Sequence, residues 1–133
     1  MQRFVLIVLL ALVGCGDPPL KSGDKITVDA NRAVAKEGGW LAYKTVEDGI
    51  EYQSLGGINP ISDAANKRID ELFAAGKLMN AAQRPAPAIF IERSGKFVRI
   101  ETEFIFTKGS DLLHTETVLG WVDTDGVVIT RAK

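Results

Sequence analysis

Apolar and polar positions alternate most clearly in the last third of the chain. Ala88 to Arg93, Lys96 to Lys108, Leu112 to Val122 and Val127 to Arg131 are strand-like runs. Ser94-Gly95, Gly109-Ser110 and Asp123-Thr124-Asp125-Gly126 separate them, so the pattern predicts an antiparallel meander of four strands. Two-residue loops at the first two turns set Ile91 against Val98 and Ile89 against Ile100. They also set Phe106, Phe104, Thr102, Ile100 and Val98 against Leu113, Thr115, Thr117, Leu119 and Trp121. Val128 and Thr130 join this face, which is the predicted core surface.

The expected cover is a helix. Ser62 is placed to cap it and Asp63 sits in its first turn, after which Ala65, Ile69, Leu72, Phe73 and Gly76 recur every three or four residues. The helix ends at Gly76 or continues until Arg84-Pro85 stops it. Earlier, Trp40 to Val46 and Ile50 to Leu55 flank Glu47-Asp48-Gly49, the pattern of a hairpin. Ile26 and Val28 mark a short strand, and Asp29 is a candidate N-cap for a helix over Ala30 to Glu37. The predicted fold class is α+β, with helices packed on one face of an antiparallel sheet. A helix followed by a four-stranded meander resembles the cystatin-type arrangement, and helices over a curved sheet resemble the nuclear-transport-factor-like pocket folds. The likeness is one of architecture without a shared motif, so it implies no activity.

Phe90, Phe97, Val122, Val127 and Ile129 form a second apolar group on the other sheet face. Either the Trp40 hairpin covers them or they are a partner surface. Trp40, Tyr43 and Tyr52 are candidates to line a ligand groove or a partner site, against the simpler reading of half-buried strand aromatics. In the expected register Glu103 faces Glu116, with Glu101 and His114 alongside. Facing carboxylates repel, and a divalent metal held by Glu103, His114 and Glu116 would relieve them. A solvated charged face does so more simply, and no resident metal or cofactor is predicted. His114 is the single histidine, with no convincing nucleophile near it, so no catalytic residue is assigned.

The N-terminus is of another kind. Arg3 precedes an unbroken apolar run from Phe4 to Val13, which is too short to span a bilayer and has the layout of a secretory signal peptide. The run ends in Leu12-Val13-Gly14-Cys15, which resembles the lipobox of bacterial lipoproteins. That resemblance implies acylation of the Cys15 thiol, palmitate or a similar chain among the acyl groups, cleavage before Cys15, and attachment to the membrane through the lipid. More than one acyl chain is needed for stable anchoring, and such a cysteine carries more than one. Gly16 rather than aspartate follows Cys15, which by the same resemblance favours the outer over the inner membrane. Residues 1–14 are then signal peptide, 15–25 a lipidated tether containing Pro18, Pro19 and Gly23, and 26–133 a single α+β domain.

Loss of 14 residues from 133 leaves 119, enough for one domain with its own core. Cys15 is the only cysteine, so a mature chain acylated there must be held by packing without disulfides. Its charge is near zero, with 16 basic and 17 acidic residues before cleavage, which gives no electrostatic footprint for nucleic acid. The expected function is that of a membrane-anchored envelope lipoprotein on the periplasmic side, with a non-catalytic domain that binds an envelope protein. The alternative is a periplasmic small-ligand carrier or sensor with a pocket between helix and sheet, and a third class is an enzyme on an envelope substrate.

Overall fold

Burial alternates residue by residue along Ile26, Val28 and Ala30, as a strand with one face in the core requires. This first strand, β1 (Lys25–Ala30), belongs to a computed structural model that describes residues 18–33, 40–108 and 112–132. Next come β2 (Leu41–Tyr43), α1 (Val46–Ser54), α2 (Asp63–Ala74), β3 (Leu78–Ala81) and β4 (Ala86–Ser94). The chain finishes with β5 (Phe97–Lys108), β6 (Leu112–Asp123) and β7 (Val127–Arg131). The fold is broadly α+β and mostly β, with two helices beside a seven-stranded antiparallel sheet among the described residues.

Neighbouring strands follow the order β3-β2-β6-β5-β4-β1-β7, and β3 also pairs with β5 through Asn80–Ile105 and Ala81–Phe104. That extra pairing closes β2, β3, β5 and β6 into a ring. One apolar cluster draws residues from every strand, including Val28, Ala42, Met79, Phe90, Ile100, Phe104, Val122 and Val127. A single sheet face can do this only by curling around its own side chains. The twist natural to strands supplies the curl, and a break in register between Phe90 and Glu92 sharpens it.

Lys108 pairs with Leu112, so the β5–β6 loop has three residues rather than two. The shift by one turns β6 over: Val118, Gly120 and Val122 face inward opposite Thr102, Ile100 and Val98, while Trp121 faces outward. In β4 the inward residues are Ala86, Ala88 and Phe90 instead of Ile89 and Ile91. The meander holds three strands, β4 to β6. The fourth, β7, leaves β6 and pairs with β1, from Ile26–Arg131 to Ala30–Val127.

The helix also covers the face opposite to the one expected. Ile69 and Leu72 of α2 join Tyr43, Leu78 and Phe97, with Val46, Tyr52, Leu55, Leu41 and Trp121 packed around them. Those strand residues alternate with the interior ones, so the Val98–Ile100–Phe104 face is filled by the curled sheet itself. Ala30 is in β1 rather than opening a helix, and residues 34–37 of that expected helix lie outside the described residues. Leu78 to Ala81 form β3, so α2 does not run on to Pro85.

Residues 18–24 lie against the sheet. Leu20 packs against the core, the Gly23 N–H donates to the Phe90 carbonyl at 2.8 Å, and the Phe90 N–H donates to the Asp24 carbonyl at 2.9 Å. The Arg131 guanidinium donates to the Pro18 carbonyl and lies 3.1 Å from the Asp24 carboxylate. The Lys21 N–H and, after it, Arg131 hold the Asp24 carboxyl below its ordinary value.

Candidate functional site

Thr45 begins the segment of most interest. Its hydroxyl accepts from the Asp48 N–H at 3.1 Å and the Asp48 carboxylate accepts from the Thr45 N–H at 3.2 Å, a reciprocal cap that starts α1. Glu47 and Asp48 add favourable negative charge to its first turn. The residues read as a hairpin turn are therefore helical. Gly49 is the contact point: a Cβ there would lie 2.6 Å from Tyr43 Cδ2 and 3.0 Å from Phe97 Cε1, so only glycine lets α1 approach so closely.

α1 runs toward the turns at one end of the sheet. Its Gln53 side chain donates to the Asp123 carboxylate and accepts from Lys96 Nζ at 3.2 Å. The loop that follows is tied to the helix, because the Gly57 N–H donates to the Tyr52 carbonyl and the Ile61 N–H to the Leu55 carbonyl, both at 3.0 Å. Gly56 takes a φ of +99, which favours glycine. Ser62 then caps α2 by accepting from the Ala65 N–H at 3.0 Å. Arg68 of α2 donates to both Glu51 oxygens of α1, at 2.7 and 3.2 Å, locking the helices together. The guanidinium holds the Glu51 carboxyl below its ordinary value.

This helix–loop–helix exposes polar side chains such as Glu47, Asp63, Lys67 and Asp70, and among them four large apolar ones. Ile50, Ile58, Ile61 and Phe73 are 54%, 78%, 73% and 37% exposed, and they are four of the six large exposed apolar side chains among the described residues. Sequence periodicity missed Ile58 and Ile61. The available signal was two isoleucines among Gly, Asn, Pro and Ser, where a loop normally carries polar residues.

The residues singled out earlier are dispersed. Trp40 is buried inside the sheet with its ring edge-on to Phe104 at 6.4 Å. Tyr43 is buried on the opposite side under α1, 5.9 Å from the Tyr52 ring, so the three aromatics line no common groove. Burial pushes both tyrosine hydroxyls up in pKa, and the Tyr52 and Asp123 charges add to the rise at Tyr43. Phe90 and Val122 are interior, whereas Phe97 packs under the helices, 6.3 Å from Tyr43. Ile129, Phe90 and Val127, joined by Pro19, Leu20, Arg93, Val98 and Thr124, line an open groove of about 480 Å³. A second groove, of about 470 Å³, lies on the outer side of β1, β4 and β5, with Lys25, Gln83, Glu101 and Glu103 on its walls.

The proposed metal ligands do not converge. Glu103 sits opposite Thr117 and accepts from the Thr115 hydroxyl at 3.0 Å, whereas Glu116 sits opposite Phe104 on the other face. His114 lies 2.9 Å from Glu116 and stacks on Phe106 at 5.6 Å. Among the described residues no group of three or more histidine, cysteine, aspartate or glutamate side chains is arranged to hold a metal. Cys15 lies outside the described residues. Comparison of the chain with protein-family models, with curated proteins and with solved structures finds no match.

Proposed function

We propose that this chain is a lipid-anchored, non-catalytic binding module of the bacterial cell envelope, held by acylated Cys15 and working through its α1–loop–α2 face. The observation that carries this reading is the distribution of apolar side chains. Those of the sheet interior are consumed in packing, while exposed Ile50 and Phe73 stand on a helix pair fixed by Arg68–Glu51. Exposed apolar groups on a rigid scaffold suit a protein partner, since binding then orders little that is not ordered already. The periplasmic face of the outer membrane is the expected location.

A photo-crosslinking residue in place of Ile50 tests this in intact cells. It should give discrete adducts with an envelope protein that are lost when Phe73→Lys is added, while the same residue at Thr130 gives none. Equal adducts from both sites would remove the helical face from consideration.

The open groove favours a second reading, a small-ligand carrier, because half-buried Leu20 and Ile129 stand at its mouth over the buried Phe90, Val98 and Val127. Fluorescence enhancement of an anilinonaphthalene probe, abolished by Leu20→Asp, would support it over the first.

A further inference from the structure

We propose that the loop between α1 and α2 rests on the lipid surface, with Ile58 and Ile61 entering the boundary between headgroups and acyl chains. This rests on the reading of Cys15 as the anchor. Three observations carry it. First, Ile58 and Ile61 are the most exposed large apolar side chains described, at 78% and 73%, and their backbone is fixed. The Asn59 N–H donates to the Gly56 carbonyl at 3.0 Å, and the Ile61 N–H closes the loop onto Leu55. The fold thus displays both side chains on a hydrogen-bonded turn.

Second, the loop leaves α1 at the end of the sheet where the tether arrives. Gln53, in the last turn of α1, contacts Lys96 of the β4–β5 turn and Asp123 at the β6–β7 turn. Pro19 and Leu20 line one groove with Arg93 and Thr124, which flank the same two turns, and the Thr124 N–H donates to the Lys96 carbonyl at 2.9 Å. Third, Cys15 is three residues from Pro18, so its Cα stays within about 11 Å of Pro18 on any path. An acylated Cys15 therefore brings this end of the domain to the membrane. The charge here is mixed, with Lys21, Arg93 and Lys96 beside Asp24, Asp123 and Asp125, so the contact is apolar in origin. Ile50 and Phe73 remain available to a protein partner.

The test uses the full lipidated chain in vesicles of phosphatidylethanolamine and phosphatidylglycerol. Cysteine is introduced singly as Ile58→Cys, Ile61→Cys or Ala74→Cys, the last at the far end of α2, and labelled with an environment-sensitive fluorophore. The acylated Cys15 thiol does not react. Brominated lipid should quench the label at 58 and 61 several-fold more than at 74, with an unchanged urea midpoint showing that the fold is intact. Equal quenching at all three positions, in protein whose Cys15 carries fatty acid, overturns this inference and leaves the anchor standing. Protein without fatty acid on Cys15 overturns both.

Discussion

Gly49 places the α1–sheet contact under a sharp test, because two effects of Gly49→Ala oppose each other. In a helix interior, alanine is better than glycine by about 0.8–1.0 kcal/mol. Against this, the new Cβ would meet Tyr43 Cδ2 at 2.6 Å, Tyr43 Cε2 at 2.9 Å and Phe97 Cε1 at 3.0 Å. Both rings are buried and pack edge-on at 6.3 Å, so neither swings aside freely. Overpacking of this kind costs about 1–3 kcal/mol and includes the lift of α1 from the sheet. With two buried rings at 3.0 Å or closer, the clash should lie at the upper end of that range and win, for a net loss of about 2 kcal/mol. With a urea dependence of about 1–3 kcal/mol per molar, the unfolding midpoint should fall by roughly 0.7–2 M. In a Tyr43→Leu background the ring is gone, so Gly49→Ala should be neutral or stabilising, a coupling of at least about 1 kcal/mol. A Gly49→Ala variant of the otherwise unchanged protein that gained stability would show that α1 does not lie on Tyr43 as described.

Two further predictions concern the loop and the acid limb. Gly56→Ala should destabilise by about 1–3 kcal/mol and expose the loop to protease, because its φ of +99 disfavours other residues and its Cβ would sit 2.3 Å from the Asn59 carbonyl oxygen. Unchanged urea midpoint and cleavage rate would contradict the tied loop. Asp24 and Glu51 have folded-state pKa values below their unfolded ones. Their stabilisation is therefore present above the ordinary carboxylate range of about 4 and is lost as pH falls through the lower folded values. Asp24→Asn with Glu51→Gln should lower the urea midpoint at neutral pH and flatten its fall in acid. An acid limb parallel to that of the unmodified protein would refute the assignment.

The parts of the fold legible in the sequence are those where one local signal acts alone. α2 starts after Ser62 and buries Ala65, Ile69 and Leu72 as its periodicity implies, whereas Phe73, expected on the same stripe, is exposed. β5 to β7 begin and end within a residue of the breaks in pattern, because Gly95 and the Asp123–Gly126 turn interrupt them. Register failed where both faces are apolar. Val118 and Val122 fill the interior while Trp121 packs beneath the helices, so no alternation distinguishes inside from outside and loop length alone decides. Gly120 is the residue that reports the true face: a Cβ there would meet Met79, Ala42 and Phe104 within 3.1 Å, where the ring of strands closes. At Asp48-Gly49, a hairpin signal and the capping pair Thr45–Asp48 competed, and tertiary contact with Tyr43 and Phe97 favoured the helix. The candidate face was hidden for a related reason, since exposed isoleucines between breakers have no period to betray them.

The proposed anchor at Cys15 would orient the whole domain, and the mass of the N-terminal peptide from protein extracted from membranes tests it directly. A peptide beginning at Cys15 with the added mass of a diacylglyceryl group, absent from the Cys15→Ser variant, is the predicted result. A peptide beginning elsewhere, or an unmodified Cys15 thiol, would contradict the lipid-anchored account.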